Sequence, residues 1–404
     1  MRVKLPGPLN IVFLAFIFWF VSELSGWVFI AIGIRPVISY IAFLGFITIV
    51  LFLKIAQIQP IIHRKYRLHT RLIWYWIIIF IYWSIFNYVY SSHSPIAFQR
   101  LITTLEMSAI FAGFLLMLGS KNIIGAVSIL LAILVVMGST LNLYDFIQPT
   151  FSSVPGRAAG LYINPTTSGF LILLITTASL GAAPIFFRWI LLTIGAVAIF
   201  ATFSRGSWAV LFISISWLFL KGYLGLRNQR LIVGLFSIVA VGIFVDSIIS
   251  GSLVQLIQNT SLERYLDSNT LARLGLSEFA SDYSANERQY IANYAVEQFL
   301  NSSNPLFGYG LGYTHEWEPR VSTHNMYLLF LVEGGIVGLL VYLSLLFILW
   351  YKATGIGKLM VLQIVAFGFF SHNILDSPSR IFFFALIASG ILNTVKINYS
   401  NKWI

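Results

Sequence analysis

The strongest constraint on this chain is a series of apolar runs, each at or close to the roughly 20 residues an α-helix needs to cross about 30 Å of hydrocarbon. They lie around residues 10–32, 37–57, 73–92, 101–118, 123–143, 168–186, 189–203, 207–220, 231–249, 324–350, 359–375 and 381–395. The runs are continuously apolar, without the alternation that separates a lipid face from a lumen face, so a barrel is excluded. The expected fold class is all-α, a polytopic membrane protein of about 12 transmembrane helices. With 58% hydrophobic and only 10% charged residues, the chain lacks the polar surface of a water-soluble domain. Arg2 and Lys4 precede the first run in the manner of a signal peptide. The run nevertheless continues past Trp27 without a small-residue cleavage site, and it is expected to remain as a span. Cysteine is absent, which removes disulfides, thiolate metal sites and a cysteine nucleophile from consideration. No repeat or soluble domain interrupts the pattern, and residues 1–404 read as a single integral-membrane domain.

A net charge of +11 would suggest nucleic acid in a soluble protein. In a membrane protein the positive residues must first be assigned to sides, and membrane lipids replace nucleic acid as the expected partner. With the N-terminus inside, every lysine falls on the cytoplasmic face, and so do both termini. The positive residues of the outer face are all arginines: Arg35, Arg100, Arg157, Arg205, Arg264, Arg273, Arg288, Arg320 and Arg380. A sorting rule alone does not demand arginine. Guanidinium is planar, permanently charged and able to fork onto two phosphate oxygens, whereas ammonium is a hydrated point charge. The plainer reading pairs these arginines with the outer acids, among them Glu263, Asp267, Glu278, Asp282, Glu287, Glu297, Glu316 and Glu318.

Two outer segments are long enough to build a site. Residues 144–167, punctuated by Pro149, Pro155, Gly156, Gly160 and Pro165, read as ordered loop. Residues 250–323 form a long periplasmic loop expected to carry part of the active site and to contain an amphipathic helix over 278–300. In that helix Tyr283, Tyr290 and Tyr294 form one stripe and Ile291, Ala295 and Phe299 an adjoining one. Arg288 falls on the second and should point toward whatever that face covers. The helix stops near Asn304 and Pro305, and Gly308, Gly310 and Gly312 read as a flexible return. The aromatic residues Tyr309, Tyr313 and Trp317 suit a headgroup-level surface.

Several stretches fall in a telling order: Arg157 and Gly160 with Tyr162, Asn164 and Pro165; then Thr202, Ser204, Arg205, Gly206 and Trp208; then Glu287 and Arg288 ahead of Asn304, Pro305, Gly308, Gly310 and Gly312; then Thr323, His324, Asn325, Tyr327, Glu333, Gly334 and Gly335. Together they resemble the O-antigen ligase and polymerase superfamily over roughly residues 155–395. The spacing from His324 to Gly335 is that of the ligases in particular. The resemblance implies a membrane glycosyltransferase at the periplasmic side of the bacterial inner membrane, without cofactor or metal. Its donor would be a glycan on undecaprenyl diphosphate. A ligase passes that glycan to lipid A-core, and a polymerase passes it to a second lipid-linked glycan. Arginines matching Arg205 and Arg288 would engage the diphosphate, and the histidine matching His324 would activate the acceptor hydroxyl.

The residues support this chemistry independently. A diphosphate leaving group at a membrane surface develops charge that fixed guanidinium groups can stabilise. Arg205 sits in a tight turn between two short runs, at the depth of a lipid-borne diphosphate; an ordinary interfacial arginine is the alternative. Arg157 is a further diphosphate candidate, unless its Gly-rich loop merely pairs it with Asp145. His324 opens a span and could serve as general base or only as a structural helix-start residue. Glu333 lies about two and a half turns deeper, where an ionisable group suggests function but could also pack against a polar neighbour. Asn164 belongs to the first motif, and His372 and Asp376, with Arg380, could complete the rim of the cavity. A transporter or flippase, the alternative of another class, calls for inverted repeats and charges near the bilayer midplane. The unusual residues gather instead on the outer loops.

Overall fold

The computed structural model describes residues 7–55, 67–119, 123–154, 156–225 and 283–394. Among them the regular structure is helical, with no strand. The first apolar run is not one helix. It forms α1 (Pro8–Val21) and α2 (Leu24–Ile32), bent by 67°. Glu23 causes the break by adopting a left-handed conformation at φ 56°. Its carboxylate is held by the hydroxyls of Ser377 and Ser379 from the far end of the sequence. Then come α3 (Val37–Ile55), α4 (Arg67–Val89), α5 (Pro95–Leu118) and α6 (Ile124–Ile147). Three shorter helices follow, α7 (Pro165–Leu180), α8 (Ile185–Ala201) and α9 (Arg205–Leu220). After the segment 226–282, which lies outside the described residues and takes the expected run 231–249 with it, the chain resumes with α10 (Tyr283–Leu300) and α11 (Tyr313–Glu316). It ends in α12 (Met326–Lys352), α13 (Ile356–Phe367), α14 (Pro378–Ala388) and α15 (Ile391–Thr394).

Helices stand at the other expected places among the described residues. Of these residues, Arg71–Val89, Pro95–Leu118, Gly125–Ile147 and Met326–Lys352 are long and apolar enough to cross a membrane alone, with a fifth span if the bent pair counts as one. At 1.5 Å per residue the shorter apolar helices are about 16 to 26 Å long, less than the hydrocarbon thickness. α7 shows that apolarity alone does not mark a lipid-facing helix. It is buried along nearly its whole length among α6, α8, α9 and α13, so its composition answers to protein packing rather than to lipid. Phe170 of α7 stacks on Phe367 of α13 at 3.9 Å between ring centroids. Gln363 Nε2 donates to Thr177 Oγ1 at 2.7 Å and Ser214 Oγ at 2.8 Å, tying α13 to α7 and α9 with paired polar groups.

The perimeter is apolar as well. Ile30, Ile41, Phe52, Tyr82, Phe186 and Phe347 are all exposed, as the lipid face of a multi-pass membrane protein requires. One end of the bundle carries lysines over aromatic rings: Lys221 on Trp217, Lys352 on Tyr351 and Lys358 on Trp350, at 4.4 to 5.3 Å. The opposite end carries the starts of α9 and α12 and the loops that hold the candidate site.

At that end α12 is broken by design of the sequence. Gly335 has φ 62°, which interrupts the helical ladder. The residues read as a flexible return fill the gap. Tyr309 N and Gly310 N donate to the carbonyls of Val332 and Glu333 at 3.0 and 2.9 Å. Ile336 N and Val337 N donate to Pro305 and Leu306 carbonyls at 3.0 and 3.1 Å. A Cβ at Gly335 would stand 2.4 Å from the Leu306 backbone, so glycine is required both for its conformation and for this approach. The segment is a hydrogen-bonded wedge, and every backbone group freed by the kink that it reaches is paired.

Candidate functional site

The first wall of the site comes from the loop before α7. Asp145, buried at the end of α6, accepts from the backbone N–H groups of Thr150, Phe151, Ala159 and Gly160 at 2.7 to 3.1 Å. One carboxylate therefore folds the whole loop. The possible pairing of Asp145 with Arg157 gives way to a different anchor: Arg157 is buried, and its Nε donates to the Thr202 carbonyl at 2.9 Å. Ala158 N donates to the Ala201 carbonyl at 3.0 Å, so the Arg157 loop lies along the turn that carries Arg205. Asn164 caps α7, its Oδ1 accepting from Thr166 N and Thr167 N at 2.9 and 3.2 Å. Pro165 follows at the first helical position.

Arg205 is the first residue of α9, half-buried behind the N-cap Ser204, which accepts from Ser207 N and Ser207 Oγ. Gly206 next to it leaves room for Phe370: a Cβ there would be 2.9 Å from that ring. The Arg205 turn is thereby packed on the connection between α13 and α14, two residues from His372.

The second wall is built on the start of α12. Asn325 caps this helix, accepting from Tyr327 N and Leu328 N at 2.9 and 3.1 Å. Met326 N donates to the Gly368 carbonyl at 2.8 Å, which holds the α13–α14 connection against the cap. His324 precedes the cap at φ 49°, a conformation uncommon for a residue with a Cβ and frequent at functional positions. Its ring meets His372 edge to face at 5.2 Å between centroids. His372 in turn meets His315 of α11 at 6.3 Å. α10 lies over this wall through Ile291 and Ala295, packed with Trp317 and Val332 as the periodicity of 278–300 anticipates; residues 278–282 lie outside the described ones.

Electrostatics link the walls. His324 is held below the ordinary histidine range, chiefly by burial and then by the positive charge of Arg288, with Glu287 acting in opposition. The positive charge of Arg288, on α10, thus bears on His324. His372 is pushed down to about 3, first by burial, then by His324, while Asp376 opposes. His315 is lowered by burial and Arg100. At neutral pH the three imidazoles are uncharged, which suits proton acceptance. Asp376 pairs with Arg100 of α5 at 2.6 Å. Glu333 is buried, and its Oε1 accepts from Thr314 N at 3.2 Å and Thr314 Oγ1 at 2.6 Å, a polar packing contact of the kind foreseen as its alternative reading. Arg380, also buried, reaches Asn373 and Thr167 and so ties the α13–α14 connection to the start of α7.

His324, His372, Arg288 and the Arg205 turn are thus gathered at one end of the bundle, with Arg157 behind that turn and Asp376 beside His372. Asn164 serves as a cap, and Glu333 sits deeper, beneath α11. Arg100, counted in the sequence only as one of the outer arginines, and His315 were missed as site residues. Their one signal is position, since Arg100 stands in the second turn of α5 and His315 lies between Tyr313 and Trp317. Among the described residues no group of three or more His, Asp or Glu is arranged to hold a metal ion. Arg264 and Arg273 lie outside the described residues.

No curated relative matches the chain. A family model described as O-Antigen ligase matches residues 190–343, a stretch that runs from α8 into α12 and encloses Arg205, Arg288, His324 and Glu333. Over residues 190–343 the chain is similar to the O-antigen ligase family.

Proposed function

We propose that the chain is a glycosyltransferase that moves a glycan from undecaprenyl diphosphate to lipid A-core at the periplasmic face of the bacterial inner membrane. The observation that carries the reading is the gathering of these groups at one end of the bundle: the ring centroids of His324 and His372 stand 5.2 Å apart, the Arg205 turn packs against Phe370, two residues from His372, and the positive charge of Arg288 bears on His324. Arg205 and Arg288, with Arg157 behind them, clamp the diphosphate and stabilise the charge that grows on it. His324 takes the proton of the acceptor hydroxyl as its oxygen attacks the anomeric carbon. The bond from that carbon to the diphosphate breaks, and the polyprenyl diphosphate leaves with the electron pair. Donor and acceptor are both lipid-borne, which suits a site at one end of a membrane bundle. The lysine-bearing end is then cytoplasmic, with both termini on that side.

Repeat-unit polymerisation is the second reading, since it needs the same donor and the same base. Reconstitution in vesicles with undecaprenyl-diphosphate glycan and lipid A-core separates the two. The ligase reading expects glycan on lipid A-core and free undecaprenyl diphosphate. Glycan that lengthens on its own carrier would make the chain a polymerase, and no transfer to either acceptor would overturn the reading. In a deletion strain the same reading expects full-length polymer to accumulate on the carrier.

A further inference from the structure

A polar cavity lies between α4, α5, α12 and the α13–α14 connection. Its walls include the rings of Trp83 and Phe330 and the polar side chains of Asn87, Arg100, Glu333 and Asp376. Asn87 is 4% exposed, and its Oδ1 has no hydrogen-bond partner among the described residues. Arg100 gives one terminal nitrogen to Asp376, while its Nε is buried without such a partner. An acceptor and a donor thus stand unsatisfied in one cavity, a costly arrangement in a membrane protein unless something fills it.

The chemistry of the lining selects the occupant. Two carboxylates face a single guanidinium, so an anion such as a diphosphate meets net repulsion. A hydroxyl both donates and accepts, and can satisfy Asn87 Oδ1 and Arg100 Nε together. The aromatic rings supply apolar surface for the C–H face of a sugar, the usual division of labour in a small-molecule site. The cavity volume of about 40 Å³ accommodates roughly three hydroxyl-sized groups, which is one edge of a single sugar. Asp376 follows His372 in the same connection, and His372 meets His324 edge to face, so an occupant lies beside the segment that carries the histidine pair.

We propose that this cavity is the acceptor subsite, which holds one uncharged sugar of the acceptor glycan by its hydroxyls. The proposal rests on the transferase reading for its biological sense, but its test is a binding measurement. Because the chain has no cysteine, Asn87→Cys and Ser84→Cys each place a unique thiol at the cavity. Ser84→Cys is nearly isosteric and guards against misfolding of the first variant. The full chain in vesicles is treated with a charged methanethiosulfonate, with lipid A-core, lipid-free O-antigen oligosaccharide or inorganic diphosphate as probe. Thr150→Cys, at an exposed position, is the control. At a saccharide concentration about four times its Kd, labelling at the cavity should slow about fivefold, with diphosphate and the control giving no such effect. Protection by diphosphate alone, or by no probe, would overturn the proposal. Saccharide protection without any transfer in the parent protein would keep the subsite and sink the transferase reading. Transfer without protection would do the reverse.

Discussion

The two walls of the site are held by opposite means. On the α7–α9 side the arginine-bearing segments are fixed through backbone. Asp145 gathers four N–H groups of the loop, Arg157 grips the Thr202 carbonyl, and Arg205 follows an N-cap. On the α12 side the histidines are set by burial and by one another's rings, above a helix that is itself broken and wedged. The difference suits a division of work. A clamp for a diphosphate needs rigid donors whose charge never changes, whereas a base must be able to gain and lose a proton.

Loss of the guanidinium fork, at the Arg205 turn and on α10, should lower transfer strongly. Arg205→Lys and Arg288→Lys keep the charge and lose bidentate geometry. Each should lower transfer by about 10² to 10³-fold, the usual consequence of removing one transition-state donor, with expression unchanged. Near-normal transfer by both variants would break the assignment of the diphosphate to these two arginines. A smaller but still severe effect is expected on the frame of the histidine wall. Gly335→Ala places a Cβ on the Leu306 backbone at positive φ. Strain at such positions costs on the order of 1–3 kcal/mol, and the clash adds to it. Thermal unfolding in detergent should show a lowered midpoint and lost activity together; a midpoint equal to the parent's would mean that the wedge is not what holds α12. The least effect should follow Asn325→Ala, which removes the cap of α12. It should cost about 1 kcal/mol, read from the same unfolding curves, and an unchanged midpoint would show that the wedge alone orders this end.

The halves also differ in how far the sequence discloses them. The buried stripe of Ile291 and Ala295 is legible because a helix face repeats locally, and Pro165 marks the start of α7 by an equally local signal. The break at Glu23 was illegible, since it depends on Ser377 and Ser379 more than 350 residues away. The pairing of Arg100 with Asp376 spans 276 positions and leaves no local trace. The glycines near 310 looked like flexibility because a wedge and a loose loop use the same residue. Whether it closes a turn or admits a neighbouring backbone depends on Gly335, which is remote in sequence. An apolar run buried in protein, as in α7, reads the same in sequence as one buried in lipid, so hydropathy alone does not count the spans.

The central claim, that the arginines hold the donor while His324 moves the proton, is tested most directly by measuring donor binding and transfer rate separately for the parent and His324→Ala from pH 5 to 8. His324 lies below the ordinary range near 6.5, so its base form prevails at pH 7 and is lost only as pH falls below that range. The parent's transfer rate should therefore be level from pH 7 upward and decline in acid. The variant should bind donor as the parent does, transfer about 10² to 10⁴-fold more slowly, and show no such decline. A variant that binds donor poorly yet turns over what it binds at the parent's rate would contradict the account and make His324 a binding or packing residue, with Glu333 the next candidate for the base.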